Sequence, residues 1–226
     1  MTPGTVSIVV PVLNEAEGIA ATLRGLAALR AAAAELIVVD GGSSDATLHR
    51  CAGLADQLLT GPRGRARQMN FGAARARGAI LLFLHADTRL PADALALVQR
   101  AIESGHDWGR FDVRIEGRSP LFPMIGALMN WRSRLTGIAT GDQAIFVRRA
   151  VFEAIGGFPD QPLMEDIELS KRLRRRGPPA CIAQRVVTSG RRWERHGVWR
   201  TIALMWRLRF LYWWGVSADQ LAKAYR

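Results

Sequence analysis

Residues 79–85, AILLFLH, form the most apolar strand candidate in the chain, and His85 and Asp87 stand where that strand should end. Two further apolar runs rich in β-branched residues, TVSIVVPV at 5–12 and ELIVVD at 35–40, also lead into polar residues. Continuous apolar runs of this length are typical of parallel strands that are buried on both faces of a sheet. The sequence therefore predicts an α/β protein.

Stretches with helical periodicity separate these strands, which predicts a mostly parallel sheet with helices on both faces. Helices are predicted at 16–30, 46–56, 65–77, from about residue 91, over part of 120–135, at 163–176 and at 198–214. Further strands are predicted at 57–60, 106–115 and 142–148. No repeat or linker interrupts the chain, so a single domain is expected.

Ligands of such sheets bind outside the carboxyl ends of the parallel strands. We therefore expect residues 11–15, 40–45 and 85–89 to meet at one edge. Asp40 either contacts a nucleoside there or forms an Asx turn within the loop GGSSD. The first turn reads PVLNEAEG rather than G-x-G-x-x-G, which argues against a nicotinamide or flavin enzyme.

The chain is strongly basic, with a net charge of +11 from 31 basic and 20 acidic side chains, and 29 of the basic residues are arginines. Arginine suits the planar recognition of phosphates, so the excess predicts a polyanionic partner such as a nucleotide, a nucleic acid or an anionic membrane. Cys51 and Cys181 are too far apart in sequence to indicate a disulfide scaffold or a zinc ribbon. With no signal peptide or transmembrane helix predicted, a cytoplasmic location is expected.

Acidic residues are the strongest candidates for chemistry. Glu165, Asp166 and Glu168 begin an arginine-rich helix, where they either interact with the helix dipole or supply a general base. Asp87 either caps the following helix or ligates a divalent cation that bridges a diphosphate. His85 is either a core histidine or a member of the same site. The residues alone leave these alternatives open.

The predicted helix 198–214, VWRTIALMWRLRFLYWW, carries tryptophans every seven residues and is interrupted by arginines. Arg200 and Arg207 align on a helical wheel beside the tryptophan stripe, and charges in the middle of the segment disfavour a transmembrane span. The segment is therefore predicted either to contact an anionic membrane surface or to form a homodimer contact, with ordinary core packing as the third alternative.

Six motifs, in this order along the chain, resemble those of the family 2 glycosyltransferases of GT-A fold. They are SIVVPVLNEAEGI, IVVDGGSSDAT, MNFGAARARGAILLFLHADTRLP, GDQAIFVRRAVFEAIGGF, MEDIELSKRLRRRG and, more loosely, RRWERHG. The run of GRARQMN, HADTRLP, GDQ and MEDIEL also resembles a subfamily of short bacterial enzymes often labelled selenodomain-associated transferases.

The resemblance implies a Rossmann-like, mostly parallel sheet with a C-terminal helical extension. Residues 1–105 would bind a nucleotide-sugar, 106–195 would hold the acceptor and the catalytic groups, and 196–226 would be helical. The implied reaction moves a sugar from a UDP- or GDP-linked donor to an acceptor hydroxyl, with inversion at the anomeric carbon. A lipid-linked acceptor is one alternative. A divalent cation, Mg²⁺ or Mn²⁺, would assist, and the enzyme would work in the cytoplasm, with a peripheral position on the inner membrane face as an option.

The resemblance also implies roles for individual residues. Asp166 would be the catalytic base with Glu165 supporting it, and Asp87 and His85 would hold the metal. His85 stands where the family usually has a carboxylate. The donor-binding set would be Pro11, Asn14, Glu15, Asp40, Gly41, Ser43, Asp45, Arg65, Arg67, Asn70, His85, Ala86 and Asp87. The acceptor or phosphate set would be Gly141, Asp142, Gln143, Arg192 and Trp193.

Two other functions stay open at this point. A sugar-nucleotide pyrophosphorylase would normally have a glycine-rich loop with a lysine after its first strand, and PVLNE lacks both features. A basic nucleic-acid-binding module would interleave exposed arginines with aromatic residues. The aromatic residues here lie in apolar runs instead, so no nucleic-acid partner is expected.

Overall fold

The computed structural model describes residues 4–225, which form one eight-stranded sheet covered by helices. The strands are β1 (Val6–Val12), β2 (Glu35–Asp40), β3 (Gln57–Thr60), β4 (Ile80–Phe83), β5 (Thr88–Arg89), β6 (Trp108–Glu116), β7 (Phe146–Arg148) and β8 (Ala180–Ser189). Their order across the sheet is β3-β2-β1-β4-β7-β6-β8-β5. Four of the seven neighbouring pairs are parallel, which confirms the predicted mostly parallel sheet.

Eleven α-helices and one 3-10 turn, Gly141–Gln143, connect the strands within residues 4–225. The helices are α1 (Ile19–Gly25), α2 (Ala27–Ala31), α3 (Thr47–Cys51), α4 (Arg65–Ala73), α5 (Ala94–Glu103), α6 (Phe122–Thr136), α7 (Arg149–Ala154), α8 (Glu165–Arg174), α9 (Arg191–His196), α10 (Val198–Trp213) and α11 (Ala218–Tyr225). The last two, α10 and α11, form the C-terminal helical extension that the resemblance implies.

The core consists of two apolar layers, one on each face of the sheet. Successive side chains of a strand point to opposite faces. Ile8 and Val10 of β1 accordingly pack with α1, α2 and α5, while Val9 packs on the other face with α4, α7 and α8. Helices therefore cover both faces, as predicted.

The three central strands β2, β1 and β4 run parallel and carry their following loops to the same edge. Val12 at the end of β1 pairs with Asp40 of β2, and Val9 pairs with Phe83 at the end of β4. The predicted meeting of the loops after 12, 40 and 83 at one edge is confirmed.

Several predicted helices are shorter than expected. The segment 16–30 is not one helix, because α1 begins only at Ile19 and the chain is interrupted after Gly25, a poor helix former. The predicted helix 46–56 ends at Cys51, just before Gly53 adopts a positive φ of 74°. The start of the predicted strand 142–148 is a 3-10 turn, so β7 keeps only three residues.

The sequence analysis missed β8, which pairs parallel with the long strand β6. Apolar side chains at both ends of β8 are buried, but the three residues 183–185 between them are exposed. The register between the two strands also shifts between Phe111 and Asp112. The three consecutive exposed residues interrupt the alternation of apolar and polar side chains by which a half-buried strand is recognised in a sequence. The short elements α7, α9 and β5 were missed as well.

Gly109 of β6 offers a test of how closely the strands pack. A Cβ atom there would lie 2.5 Å from the carbonyl oxygen of Ala180 and 2.5 Å from the ring of Phe146. We expect Gly109→Ala to lower the free energy of unfolding by roughly 1–3 kcal/mol, because backbone must move to admit the methyl group. Denaturant unfolding measures the change.

Gly25→Ala, at the end of α1, is the matched control. Nothing outside its own helix backbone lies within 4 Å of the added methyl group. This substitution should leave stability unchanged or raise it slightly, since alanine favours helix. A Gly109→Ala protein as stable as the Gly25→Ala protein would contradict the described packing of β6.

Candidate active site

The loops after β1 and β2 are locked together by hydrogen bonds. The Asn14 N–H donates to the Ser43 hydroxyl oxygen at 2.9 Å, and the Asn14 side-chain oxygen accepts from the Ser44 N–H at 2.9 Å. The Glu15 N–H donates to the Thr47 hydroxyl oxygen at 2.8 Å. Predicted donor-binding residues therefore form one hydrogen-bonded unit at the carboxyl edge of the sheet.

Asp40 is buried and builds the turn that follows β2. Its carboxylate accepts hydrogen bonds from the Gly42 and Ser43 N–H groups, each at 2.9 Å, and from the Ser43 hydroxyl. This is the Asx-turn role that the sequence left open. Asp45 acts similarly one turn later, accepting from the Thr47 N–H at 3.0 Å. Direct contact of either carboxylate with a nucleotide stays a prediction.

Gln68 of α4 connects the ends of β1 and β2 through its side-chain amide. The sequence analysis did not identify it as a site residue. Its side-chain nitrogen donates to the carbonyl oxygens of Val12 and Val39, both at 2.8 Å. Gly41 lies against the same amide, where a Cβ would be 2.9 Å away. Pro11 lies in β1 opposite Val39. A polar residue on the buried side of a predicted helix was the available signal.

Three residues of α4 were predicted to bind the donor, and they point to different places. Arg67 forms a bidentate ion pair with Asp160 at 2.6 and 3.0 Å on the surface. Asn70 donates to the Phe158 carbonyl and accepts from the Phe158 N–H, each at 2.9 Å. Both tie α4 to the loop after α7, whereas Arg65 faces the acidic cluster of α8.

The acidic cluster lies at the first turn of α8. Asp166 is half-buried, and its carboxylate accepts from the Gly141 N–H at 2.9 Å and from the Ile167 N–H at 2.7 Å. Glu165 is only 4% exposed, and the Arg65 guanidinium lies 3.4 Å from its carboxylate. The more exposed carboxylate is therefore Asp166, with Glu165 packed behind it.

The end of β4 is joined to the 3-10 turn. The His85 Nδ1 atom lies 3.2 Å from the Asp142 carboxylate. A Cβ at Gly141 would lie 2.2 Å from the Nε2 atom of the same ring, so only glycine permits this approach. Gln143 is fully buried and caps the turn, its side-chain oxygen accepting from the Thr140 N–H at 3.1 Å.

Together these elements enclose a small cleft with an apolar floor and an acidic rim. It is lined by Met69, Phe83, His85, Gly141, Ile145, Phe158, Glu165 and Asp166. Four predicted site residues from three separate segments, His85, Gly141, Glu165 and Asp166, thus meet where β4 ends and α8 begins. This cleft is the candidate active site.

Two carboxyl groups of the cleft have opposite pKa shifts. Burial and the neighbouring Asp166 carboxylate raise the pKa of Glu165, although the Arg65 guanidinium opposes this. Burial also acts to raise the pKa of Asp142, but the hydrogen bond from His85 and the charge of Arg65 outweigh it and lower that pKa. Titratable groups whose environments separate their pKa values are typical of acid–base sites.

Arg132 of α6 is a charged residue of this region that the motifs did not contain. Its Nε and Nη2 atoms are buried and have no hydrogen-bond partner among residues 4–225. Burial lowers the pKa of Arg132, although the carboxylates of Asp166 and Asp142 act in the opposite direction. A buried guanidinium without partners is costly, so Arg132 is a candidate to meet an anionic ligand group.

Asp87 follows β4 with its backbone fixed and its side chain available. Its carbonyl oxygen accepts from the Ser189 N–H at 3.2 Å, and the adjacent Ala86 carbonyl accepts the Thr22 hydroxyl at 2.7 Å. No residue of the described range 4–225 forms a hydrogen bond or ion pair with the Asp87 carboxylate. An open carboxylate suits a divalent cation. His85 suits it less, because its Nδ1 atom already faces a carboxylate.

Metal ligation by the chain alone is not evident. Between residues 4 and 225 no three side chains of His, Cys, Asp or Glu are grouped so that they could hold a metal ion. Asp87 would therefore have to share a cation with oxygen atoms of a bound ligand, which is how Mg²⁺ commonly binds beside phosphates.

The predicted phosphate-binding residues of α9 lie beside the cleft without lining it. Arg192 stacks on the Tyr225 ring at 3.8 Å, and Trp193 packs against apolar residues of α6. The preceding Arg191 forms an ion pair with Glu15 at 3.1 Å. Through this pair, α9 is fastened to the loop after β1.

Comparison with known proteins defines the class. Residues 7–156 match the family described as Glycosyl transferase family 2. PGL/p-HBAD biosynthesis glycosyltransferases of Mycobacterium bovis (strain BCG / Pasteur 1173P2) and Mycobacterium tuberculosis (strain ATCC 25177 / H37Ra) are each 34% identical over 160 residues. The aligned region is 67% of this chain and 62% of those relatives. The chain belongs to glycosyl transferase family 2.

Solved structures show the same fold. TarS residues 1–349 of S. aureus in complex with UDP has a TM-score of 0.66 at 20% identity, covering 82% of this chain and 60% of that one. The mannosyltransferase PcManGT from Pyrobaculum calidifontis, in complex with GDP-Man and Mn²⁺, has a TM-score of 0.61 at 22% identity, covering 80% and 56%. The fold is of GT-A type, as the sequence predicts.

The raised pKa of Glu165 can be tested by measuring how the stability of the fold depends on pH. Its ionised form is less favourable in the folded chain than in the unfolded chain, so the fold loses stability as pH rises through the folded-state pKa. We expect Glu165→Gln to raise the melting temperature near neutral pH. The gain should vanish below the ordinary glutamate pKa of about 4.3, where Glu165 is protonated in both states.

Glu168→Gln is the control, because Glu168 is half-buried on the same helix and pairs with Lys171 and Arg172. It should lower the melting temperature slightly or leave it unchanged. Thermal melts of both variants across pH make the measurement. A Glu165→Gln protein less stable than wild type at neutral pH would refute the described electrostatics.

Proposed function

We propose that this chain transfers a sugar from a UDP- or GDP-linked donor to an acceptor hydroxyl, with inversion at the anomeric carbon. Family membership supports glycosyl transfer. Solved structures of the same fold in complex with UDP, UDP-GlcNAc and GDP-Man support a nucleotide-sugar donor. The observation that carries the proposal is the cleft in which Asp166 and Glu165 face the end of β4.

Asp166 would act as the general base. Its carboxylate is held by the Gly141 N–H and remains half exposed, so an acceptor hydroxyl can approach it. The acceptor oxygen would attack the anomeric carbon while its proton passes to Asp166, and the bond to the nucleoside diphosphate would break. Glu165, paired with Arg65, would fix the position of the first turn of α8. A single displacement of this kind inverts the anomeric centre.

The donor diphosphate would lie between the loops after β1, β2 and β4. Asp87 would hold a divalent cation there, Mg²⁺ or Mn²⁺, which neutralises the negative charge of a leaving diphosphate when bound. His85 would position Asp142 rather than bind the cation, since the two side chains already face each other. Arg65 and Arg132 would stabilise negative charge that develops on the leaving group.

The remaining donor and acceptor assignments are kept as proposals of the same kind. Loop residues 14–15, 41, 43 and 45 would contact the nucleotide mainly through the backbone that their hydrogen bonds fix. Residues 1–105 would bind the donor and 106–195 the acceptor within one domain of residues 1–226, of which 1–3 and 226 lie outside the described range. The subfamily of selenodomain-associated transferases would be the closer grouping.

We further propose that the acceptor is lipid-linked and that the enzyme works in the cytoplasm, peripherally on the inner membrane face. The exposed tryptophans of α10 support this location. A search of residues 4–225 finds no helix with the length and hydropathy needed to cross a bilayer.

Donor binding should require both a divalent cation and Asp87. We expect calorimetry to show that the affinity for a nucleoside diphosphate falls with a chelator and falls equally with Asp87→Ala, because both remove the same charge neutralisation. Asp93→Ala, at an exposed acid before α5, should leave the affinity unchanged. Unaltered affinity both with the chelator and in Asp87→Ala would reject the metal assignment.

Turnover should depend on Asp166. Asp166→Asn preserves the shape and removes the base, so we expect donor turnover to fall roughly 10²–10⁴-fold while donor affinity is retained. Glu168→Gln, which lies outside the cleft, should be fully active. Rates and donor affinities of both variants, together with Glu165→Gln, decide the roles. Normal turnover in Asp166→Asn with an inactive Glu165→Gln would assign the base to Glu165 instead.

A further inference from the structure

Exposed apolar side chains are concentrated on two helices. Nine of the eleven large hydrophobic residues that are exposed within residues 4–225 belong to α6, α10 or the residue after α10. On α6 they are Met124, Leu128, Trp131 and Leu135, which are 48% to 65% exposed; after them come Trp199, Trp206, Phe210, Trp213 and Trp214, which are 57% to 76% exposed. We call these nine residues the two-helix face. A contiguous apolar patch of this kind marks an interaction surface.

The two stripes border one helix–helix contact. Phe122 and Ile125 of α6 belong to the same apolar cluster as Val198 and Ile202 of α10. Since successive residues of a helix are about 100° apart, each exposed stripe lies roughly a quarter turn from the side that packs on the other helix. On both helices the stripe also lies opposite the buried residues, which for α10 include Leu208. Both stripes are therefore left uncovered by the contact between the two helices.

The charge around the two-helix face is of one sign. Segments 122–136 and 198–214 contain no aspartate or glutamate, and three of their five arginines, Arg200, Arg207 and Arg209, lie on α10. Arg200 and Arg207 border one side of the α10 stripe, and Arg209 borders the other. Arg200 and Arg207 are exposed and form no ion pair in the described part of the chain. Tryptophan flanked by arginine is the composition of helices that lie in the interface of anionic membranes.

We propose that the two-helix face docks on an anionic lipid bilayer, with the α10 tryptophans in the headgroup region and the bordering arginines on lipid phosphates. The surface would lie in the plane of the interface, because α10 has only 16 residues and arginines near its middle. The stripe on α6 enlarges the apolar area beyond what α10 alone supplies.

A second copy of this chain fits the surface less well. In a symmetric dimer the same face meets itself, so arginines would approach arginines with no carboxylate on either side. Like charges facing each other across an interface oppose association. An anionic bilayer supplies the missing negative charge, which is why the membrane is favoured over self-association.

The position of α10 connects this surface to the candidate active site. Leu208 packs in one cluster with Leu163, Met164 and Ile167, the residues that flank Glu165 and Asp166. Docking would therefore place the first turn of α8 behind α10, at about one helix diameter, roughly 10 Å, from the bilayer surface. The link between docking and catalysis rests on the proposed function, because it matters only if the acceptor is lipid-linked. Binding of the two-helix face to a bilayer does not itself require catalysis.

Vesicle flotation of the full chain tests the proposal. Wild type should float with vesicles of phosphatidylcholine plus phosphatidylglycerol and do so less in high salt. The triple variant Trp199→Ser, Trp206→Ser, Trp213→Ser should lose at least roughly tenfold in partitioning. Arg200→Gln with Arg207→Gln should lose roughly 30-fold on anionic vesicles and little on phosphatidylcholine alone. Leu48→Ser and Leu58→Ser, at exposed apolar residues elsewhere, are the matched controls and should float normally.

Each outcome decides for or against docking. Asp166→Asn should float as wild type does, because Asp166 is not part of the two-helix face. The membrane result can therefore be interpreted even if the catalytic proposal fails. Thermal melts confirm that the surface variants fold. Equal partitioning of wild type and both surface variants, or no flotation at all, overturns the proposal. So does a stable dimer in light scattering that the tryptophan substitutions dissociate, or retention on single-stranded DNA without vesicle binding.

Discussion

The parallel pairing of β1 with β2 and β4 is the constraint on which the rest of the structure depends. Parallel strands end at a common edge, so the pairing brings three loops together that are far apart in sequence. Backbone carbonyls at such an edge need partners, and Gln68 supplies one amide to both Val12 and Val39. The candidate active site lies next to this junction, because Met69, the residue after Gln68, lines the cleft.

The first half of this fold could be predicted from sequence because its strands are buried on both faces. β1 and β2 read as unbroken apolar runs, and a single physical cause produces that pattern. The second half has strands of mixed exposure. β7 has three residues, and β8 is interrupted by the exposed residues 183–185 where its register with β6 shifts. Which side chains of β7 and β8 are buried depends on tertiary packing, so it cannot be predicted from the local periodicity of the sequence.

The residue types of the site were also more predictable than its contacts. A carboxylate at the start of a helix and a histidine at the end of a strand are visible in sequence. Their partners are not, since Asp142 lies 57 positions from His85 and Glu165 lies 100 positions from Arg65. Arg132 belongs to no motif, and only the burial of its unpaired nitrogen atoms draws attention to it.

Energetic costs are concentrated at the same edge. Two of the four non-glycine residues with positive φ in the range 4–225, Ala144 and Met164, directly precede the cleft residues Ile145 and Glu165. Each such conformation costs on the order of 1 kcal/mol or more and persists only where the surroundings enforce it. Glu165 and Arg132 add buried charge that is weakly paired or unpaired. The apolar layers on the two faces of the sheet supply the stability that offsets these costs and keeps the cleft in its described geometry.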